Sequence, residues 1–398
     1  MSGENFIIDG KKDLKIVKTL FYYYAFICFG MFSGLIGPSM PYLSELVNTN
    51  LDKISFILIA KPAGTFIGTA LTGYFYDNYK GHIIFSLSLL ILGVGMLLVP
   101  NSSSLRILLL LFLIMGIAEG FGHVGGNTLL IWNYNQKTGG LINGLHSCHG
   151  LGAFLSPFLL GIFLSNNINQ KWTFWIVTLL VLPVFLFINF LESPKNSLIE
   201  VEKNNIKKEN SYKLIALFFM FLFIVVGFEI SFGSWIYTYA TTKKLLIDNQ
   251  AAYLTSTFFG TMTIGRIIII PFTKKVSFEK IVFFSLLISI VFLGLVLVFP
   301  ESSMFLWIVT IIVGLSISTL FPATLSLAEN KLNISGKLTS LFLIGATLGA
   351  MILPWTIGQL IHFVDMKIFI YAIVAILFNG LLLFLVLNSE SRRSGKKS

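Results

Sequence analysis

Apolar residues run along this chain in unbroken blocks, without the alternation of a half-buried strand or the one-sided stripe of a surface helix. A helix needs roughly 20 mostly apolar residues to cross a bilayer. Twelve runs reach that length, at about 17–43, 54–76, 82–100, 106–132, 142–165, 172–191, 213–240, 251–273, 279–300, 304–329, 338–362 and 367–387. Turn-forming stretches such as Asn101-Ser-Ser-Ser and Asn166-Asn-Ile-Asn-Gln separate them. A membrane β-barrel is excluded, because its strands alternate over ~10 residues. The first run follows a lysine-rich tail and is too long for a signal-peptide core.

Composition moves the picture from helices to a membrane. Of 398 residues, 55% are hydrophobic and 12% charged, with a mean hydropathy of +0.84, against about 25% charged in soluble proteins. A soluble enzyme, a disordered chain and a nucleic-acid binder are excluded, and the expected surroundings are a lipid bilayer. Cys28 and Cys148 sit in apolar runs and imply neither a disulfide nor a Cys-based metal site. The net charge of +10 reads mostly as orientation signal. Twenty Lys and Arg fall on the side of the two termini, six on the opposite side, and Lys61 and Arg266 within spans. Both termini are therefore expected in the cytoplasm, of a plasma membrane or bacterial inner membrane.

The chain also repeats itself. Leu151-Gly-Ala-Phe-Leu-Ser-Pro157 returns as Leu348-Gly-Ala-Met-Ile-Leu-Pro354, 197 positions on, and the same displacement carries Gly30 to Gly227 and Gly68 to Gly265. Span n thus matches span n+6. The expected organisation is a tail (1–16), a six-helix half (17–191), a polar linker (192–212), a second six-helix half (213–387) and a short tail (388–398). After span 2 the chain reads Gly73-Tyr-Phe-Tyr-Asp77-Asn-Tyr-Lys80-Gly81-His82. Two parallel six-helix repeats with this loop resemble the major facilitator superfamily, whose loop motif has Gly, Asp and Gly where Gly73, Asp77 and Gly81 stand. The usual final cation is His82 here. The resemblance implies an all-α membrane protein of twelve transmembrane helices in two pseudo-symmetric halves, and a gating role for the loop.

Ionisable groups inside spans are rare, since a charge at mid-bilayer costs roughly 2.5–3.5 kcal/mol even on lenient scales. The candidates are Lys61, Glu119, His123, His146, His149, Glu229 and Arg266. Glu119, His123 and Asn127 recur every fourth residue and share one stripe of span 4. At ~1.5 Å per residue, His123 and His149 both lie about 12–13 Å from the cytoplasmic side. Lys61 and Glu119 fall about 11 and 20 Å below the outer face, a stretched separation for an ion pair. The stripe reads either as a polar track on a cavity or as hydrogen-bonding glue between helices. Glu229 stands near Phe228, Phe232 and Trp235, a setting for a polar solute, and is alternatively a structural partner of Arg266. Trp235, Tyr237 and Tyr239 face either a ligand or an interfacial belt.

Gly116-Ile-Ala-Glu-Gly-Phe-Gly-His-Val-Gly-Gly-Asn127 and Ile142-Asn-Gly-Leu-His-Ser-Cys-His-Gly-Leu-Gly-Ala153 resemble spans 4 and 5 of the fucose–glucose permease group. Together with Gly233-Ser-Trp-Ile-Tyr-Thr-Tyr-Ala240, they are most similar to its sodium-dependent glucose transporter-like branch. The resemblance implies a coupling carboxylate four residues before Asn127, where this chain has His123. Polar amides of the group correspond to His146 and His149, and a basic residue of the branch to Lys61. Sodium prefers hard oxygen ligands, whereas imidazole titrates near pH 6.5, so a proton is expected as the coupling ion and sodium is not.

The expected function is a secondary active or facilitative transporter of a small polar solute, a sugar first, by alternating access. The alternative is an importer or exporter of another metabolite or amphipathic compound; a non-transporting sensor is more remote. His146-x-x-His149 with Glu119-x-x-x-His123 superficially has metal-ligand spacing, but an enzyme, a cofactor and a metal are not expected. Neither is a nucleic-acid partner, and the chain is expected to be a monomer.

Overall fold

The computed structural model describes residues 2–134, 138–194, 212–269, 275–332 and 336–394, and among them there is no strand. The linker expected at 192–212 lies almost wholly outside the described residues. Helices α1 (Ser2–Leu46), α2 (Leu51–Ile54), α3 (Ile57–Asn78), α4 (Gly81–Leu98), α5 (Leu105–Tyr134), α6 (Gly139–Ser165) and α7 (Lys171–Phe187) fill the first half. The second half holds α8 (Tyr212–Thr242), α9 (Asp248–Ile268), α10 (Phe278–Val298), α11 (Ser303–Ile317), α12 (Leu320–Lys331), α13 (Gly336–Phe363) and α14 (Ile368–Ser394). Eleven helical segments among the described residues are long and apolar enough to span a membrane. The eighth expected span, 251–273, is present as α9 as far as Ile268, and its end at 270–273 lies outside the described residues.

Two expected spans are interrupted. Span 2 divides into α2 and α3 at Ser55 and Phe56, whereas span 10 divides into α11 and α12 at Ser318 and Thr319. The second break has a local cause. Pro322 cannot donate to the Ser318 carbonyl, and the Ser318 hydroxyl donates to the Leu315 carbonyl at 2.7 Å, competing with the helical ladder.

The chain divides into two compact units, Met1–Leu35 with Glu45–Thr49 and Ala60–Glu202, and Ile36–Ser44 with Asn50–Ile59 and Lys203–Ser398. In the first, α4 packs on α5 and α7, while α6 lies on α1, where Gly152 lets its backbone rest against the Ile27 carbonyl. In the second, α8 packs on α13 and α14, and Gly349 of α13 rests against the Phe223 carbonyl of α8. The sequence repeat thus maps onto equivalent helix contacts, span 5 on span 1 and span 11 on span 7. Large apolar residues such as Leu20, Phe66, Leu110, Phe284 and Phe378 point outward, which a bilayer tolerates and water does not.

Candidate functional site

Within the first unit, four helices bring polar side chains to one place among apolar walls. Glu119 of α5 is 1% exposed, and its Oε2 lies 2.6 Å from the Lys61 ammonium of α3. The Thr65 hydroxyl donates to the same oxygen at 2.9 Å, and the Ser33 hydroxyl of α1 donates to Oε1 at 2.7 Å. Lys61 also donates to the Ser33 oxygen at 3.2 Å and lies 5.5 Å from the centre of the Phe32 ring. A buried carboxylate survives only when its lone pairs and charge are matched, and here three donors do so.

This corrects the stretched separation expected of Lys61 and Glu119. Span 2 begins at Leu51 and not near residue 54, which sets Lys61 about 4–5 Å deeper, and the lysine stem covers the rest. The two helices are also unusually close. A Cβ at Gly116 would collide with the Lys61 carbonyl, and one at Gly120 with that of Thr65, the small-residue seam that lets membrane helices touch.

One turn further along α5, His123 stacks on Phe26 (5.2 Å between ring centres, 19° between planes) and meets the edge of Phe29 at 5.3 Å. Its other neighbour is His149 of α6, 4.9 Å away with the rings at 80°. The ring of His146 lies 6.1 Å from that of Phe26. The Nε2 atoms of both His123 and His149 are sealed from solvent without a hydrogen-bond partner. Donor atoms of Glu119, His123 and His149 lie within 4.8 Å of one another, close enough for the three to hold a metal ion. Asn127 turns its amide back onto the His123 carbonyl at 2.8 Å, so its Nδ2 serves its own helix. Ser33, Thr65, Phe26 and Phe29 were not singled out from sequence, although Thr65 stands four residues after Lys61 and so on its face.

The second unit holds a looser pair, with Arg266 of α9 3.5 Å from Glu229 of α8. Trp235 is fully buried and donates through Nε1 to the Pro354 carbonyl at 2.8 Å, and Tyr237 and Tyr239 are buried as well. Burial of these three rings is unlike the exposure an interfacial belt would give them.

In the loop motif, Asp77 is exposed, and the side-chain position of Gly81 is crowded by Leu129. His82 is buried: Nδ1 lies 3.0 Å from the Leu191 carbonyl and Nε2 2.8 Å from the Tyr22 hydroxyl. A carbonyl only accepts, so Nδ1 donates and Nε2 accepts from Tyr22. A neutral two-sided hydrogen bond occupies the place of the motif's usual cation. A cavity of about 860 Å³ opens beside it, lined by Asp77, Lys80, Asn189 and Glu192 among others.

Membrane-length helices in two units, each with an ion pair between its spans, define a multi-pass transporter fold. Residues 22–354 match the family described as Major Facilitator Superfamily, and the chain belongs to it. It is 27% identical to sodium-dependent glucose transporter 1A of Mus musculus over 386 residues, covering 88% of this chain and 91% of that one. With major facilitator superfamily domain-containing protein 4A of Mus musculus the identity is 25%, covering 92% and 91%. Among solved structures, a mutant of nucleoside transporter NupG superposes with a TM-score of 0.76 at 13% identity over 94% of this chain and 99% of that one. A bacterial homologue of the human lysosomal transporter Spinster gives 0.70 at 14% identity over 97% of each.

Proposed function

We propose that this major facilitator transporter carries a small polar solute of the sugar class by alternating access, with a proton gradient rather than sodium as the driving force. The observation that carries the reading is the buried set Lys61, Glu119, Ser33 and Thr65, a group of matched donors and acceptors at membrane depth. Such groups can exchange partners with sugar hydroxyls, which both donate and accept. The name of the Mus musculus relative supports a sugar and, equally, sodium. The proposal departs on the ion because the carboxylate implied four residues before Asn127 is His123, enclosed by two phenyl rings and a second imidazole. The hard-oxygen donor beside it is Glu119, already held by Lys61, whereas sodium needs several. Further parts of the reading are that Glu229 and Arg266 are substrate or coupling residues of the second unit, that both termini are cytoplasmic, and that the carrier is a monomer.

Uptake of radiolabelled hexoses, nucleosides and amino acids into proteoliposomes, under imposed proton or sodium gradients, tests the reading. The expected result is hexose accumulation that follows the proton gradient and is unchanged when potassium replaces sodium. Accumulation driven strictly by sodium would overturn the coupling. Selective uptake of a different solute class would overturn the substrate.

A further inference from the structure

We infer that Glu119, His123 and His149 form a site for a borderline transition-metal dication, of which Zn²⁺ is the type. The ligand-like spacings Glu119-x-x-x-His123 and His146-x-x-His149 lie on separate helices, and the packing of α6 brings His149 to the other two. It shares Glu119 with the solute-binding set proposed above and is tested without any solute.

Four observations converge. Donor atoms of the three side chains all lie within 4.8 Å of one another. Tetrahedral ligands with bonds of about 2.1 Å sit roughly 3.4 Å apart, so side-chain motion of about an ångström closes the set. The Nε2 atoms of His123 and His149 are both sealed from solvent and unpartnered, a condition that costs free energy for any buried polar atom. The ring planes are set by neighbours: Phe26 covers one face of His123 and Phe29 meets it edge-on. The two imidazoles meet edge to face, with 80° between their planes, which fixes the second ring as well. Finally, two imidazoles and one carboxylate form a borderline donor set. It suits Zn²⁺, Co²⁺ or Ni²⁺ and not sodium, magnesium or calcium. Three protein ligands also leave a fourth position open.

Lys61 sets the strength of the site. Its ammonium and Thr65 hold Oε2 of Glu119, whereas Oε1 is held by the Ser33 hydroxyl. A metal therefore takes Oε1 and displaces a neutral donor, while the fixed positive charge of Lys61 opposes it across the carboxylate. The result is a moderate, reversible site rather than a permanently loaded one.

The test uses Co²⁺ as the probe, on full-length protein purified without a histidine tag in detergent. Visible absorption reports coordination, and competition with Zn²⁺ reports affinity. Wild type should bind one equivalent of Co²⁺ with the intense visible bands of a four-coordinate site. His123→Asn and His149→Gln should each weaken binding more than tenfold, and Lys61→Met should tighten it about tenfold. Thermal unfolding gives a second readout: Zn²⁺ should raise the midpoint of wild type and leave that of the doubly substituted His123→Asn, His149→Gln protein unchanged. No stoichiometric Co²⁺ binding by wild type would overturn the inference. So would affinity unchanged by either histidine substitution, or by Lys61→Met. None of these measurements contains a sugar, so a failed transport assay leaves them interpretable.

Discussion

Breaking the Lys61–Glu119 pair from one side should cost more than removing it whole. Glu119→Gln leaves an ammonium among apolar walls with its carboxylate gone, and one-sided removal of a buried ion pair typically costs about 3–5 kcal/mol. Replacing both partners by apolar residues of similar volume is often neutral or stabilising. Glu119→Gln should therefore lower the thermal midpoint in detergent and abolish solute binding, whereas Lys61→Met with Glu119→Leu should restore the midpoint and not the binding. Equal destabilisation by the double substitution would show that the pair mainly holds α3 to α5. At this scale the sequence was readable where chemistry was rare. Seven ionisable groups stood out in apolar spans because each is costly there, and the i, i+4 recurrence from Glu119 to Asn127 put three residues on one face. The depth estimate failed for Lys61 because the start of span 2 was misplaced by three residues. Ser33 and Thr65 stay hidden because a hydroxyl in an apolar helix usually bonds its own backbone, as Thr72 does with Gly68 and as Thr65 also does with Lys61.

At the scale of the element, the seam between α3 and α5 depends on glycine, so Gly120→Val should act as a wedge. Its side chain meets the Thr65 carbonyl, which cannot move without moving α3, and separation of the helices would pull Thr65 and Lys61 off Glu119. The expected outcome is a lower thermal midpoint together with lost binding; a variant with normal stability and uptake would show that the seam is slack. A different kind of control acts at the loop after α8. There the Lys243 ammonium bonds Asp365 at 2.7 Å and holds its carboxyl below the ordinary aspartate range. A carboxyl lowered in the folded state adds stability above its unfolded pKa, about 3.9, and loses it as pH falls through the lowered value. The midpoint difference between wild type and Lys243→Gln should accordingly be present at pH 7 and shrink as pH falls below about 3.9, and a difference that grows on acidification would refute the assignment. Helix existence was legible from run length alone, because lipid demands it. The breaks at Ser55 and Ser318 escape hydropathy because both lie within apolar runs, although Pro322 marks the second in the sequence.

For the molecule as a whole, orientation turns on α9, a span rich in threonine with an arginine near its end. Its threonines explain how it can still cross: Thr255, Thr257, Thr261 and Thr263 donate to carbonyls of Ala251, Tyr253, Thr257 and Phe259 on the same helix. Their hydroxyls therefore need no water, and Arg266 has Glu229. Hydropathy counts these residues as polar although the structure has already satisfied them, as any segment in hydrocarbon must. If α9 crosses, the count of spans is even and the exposed residues Asn78 and Ser389 share a side. If it does not, every segment after it is inverted. The excess of Lys and Arg on the side of the termini favours crossing, because retention of positive loops orients the chain during insertion. On a background lacking Cys28 and Cys148, single cysteines at Asn78 and Ser389 should both react with an impermeant maleimide only from the cytoplasmic side. Cysteines at Asn50 and Glu301 should react only from outside. Outward labelling at Ser389 with inward labelling at Asn78 would mean that α9 stays out of the membrane. The charge bias would then have to be reassigned.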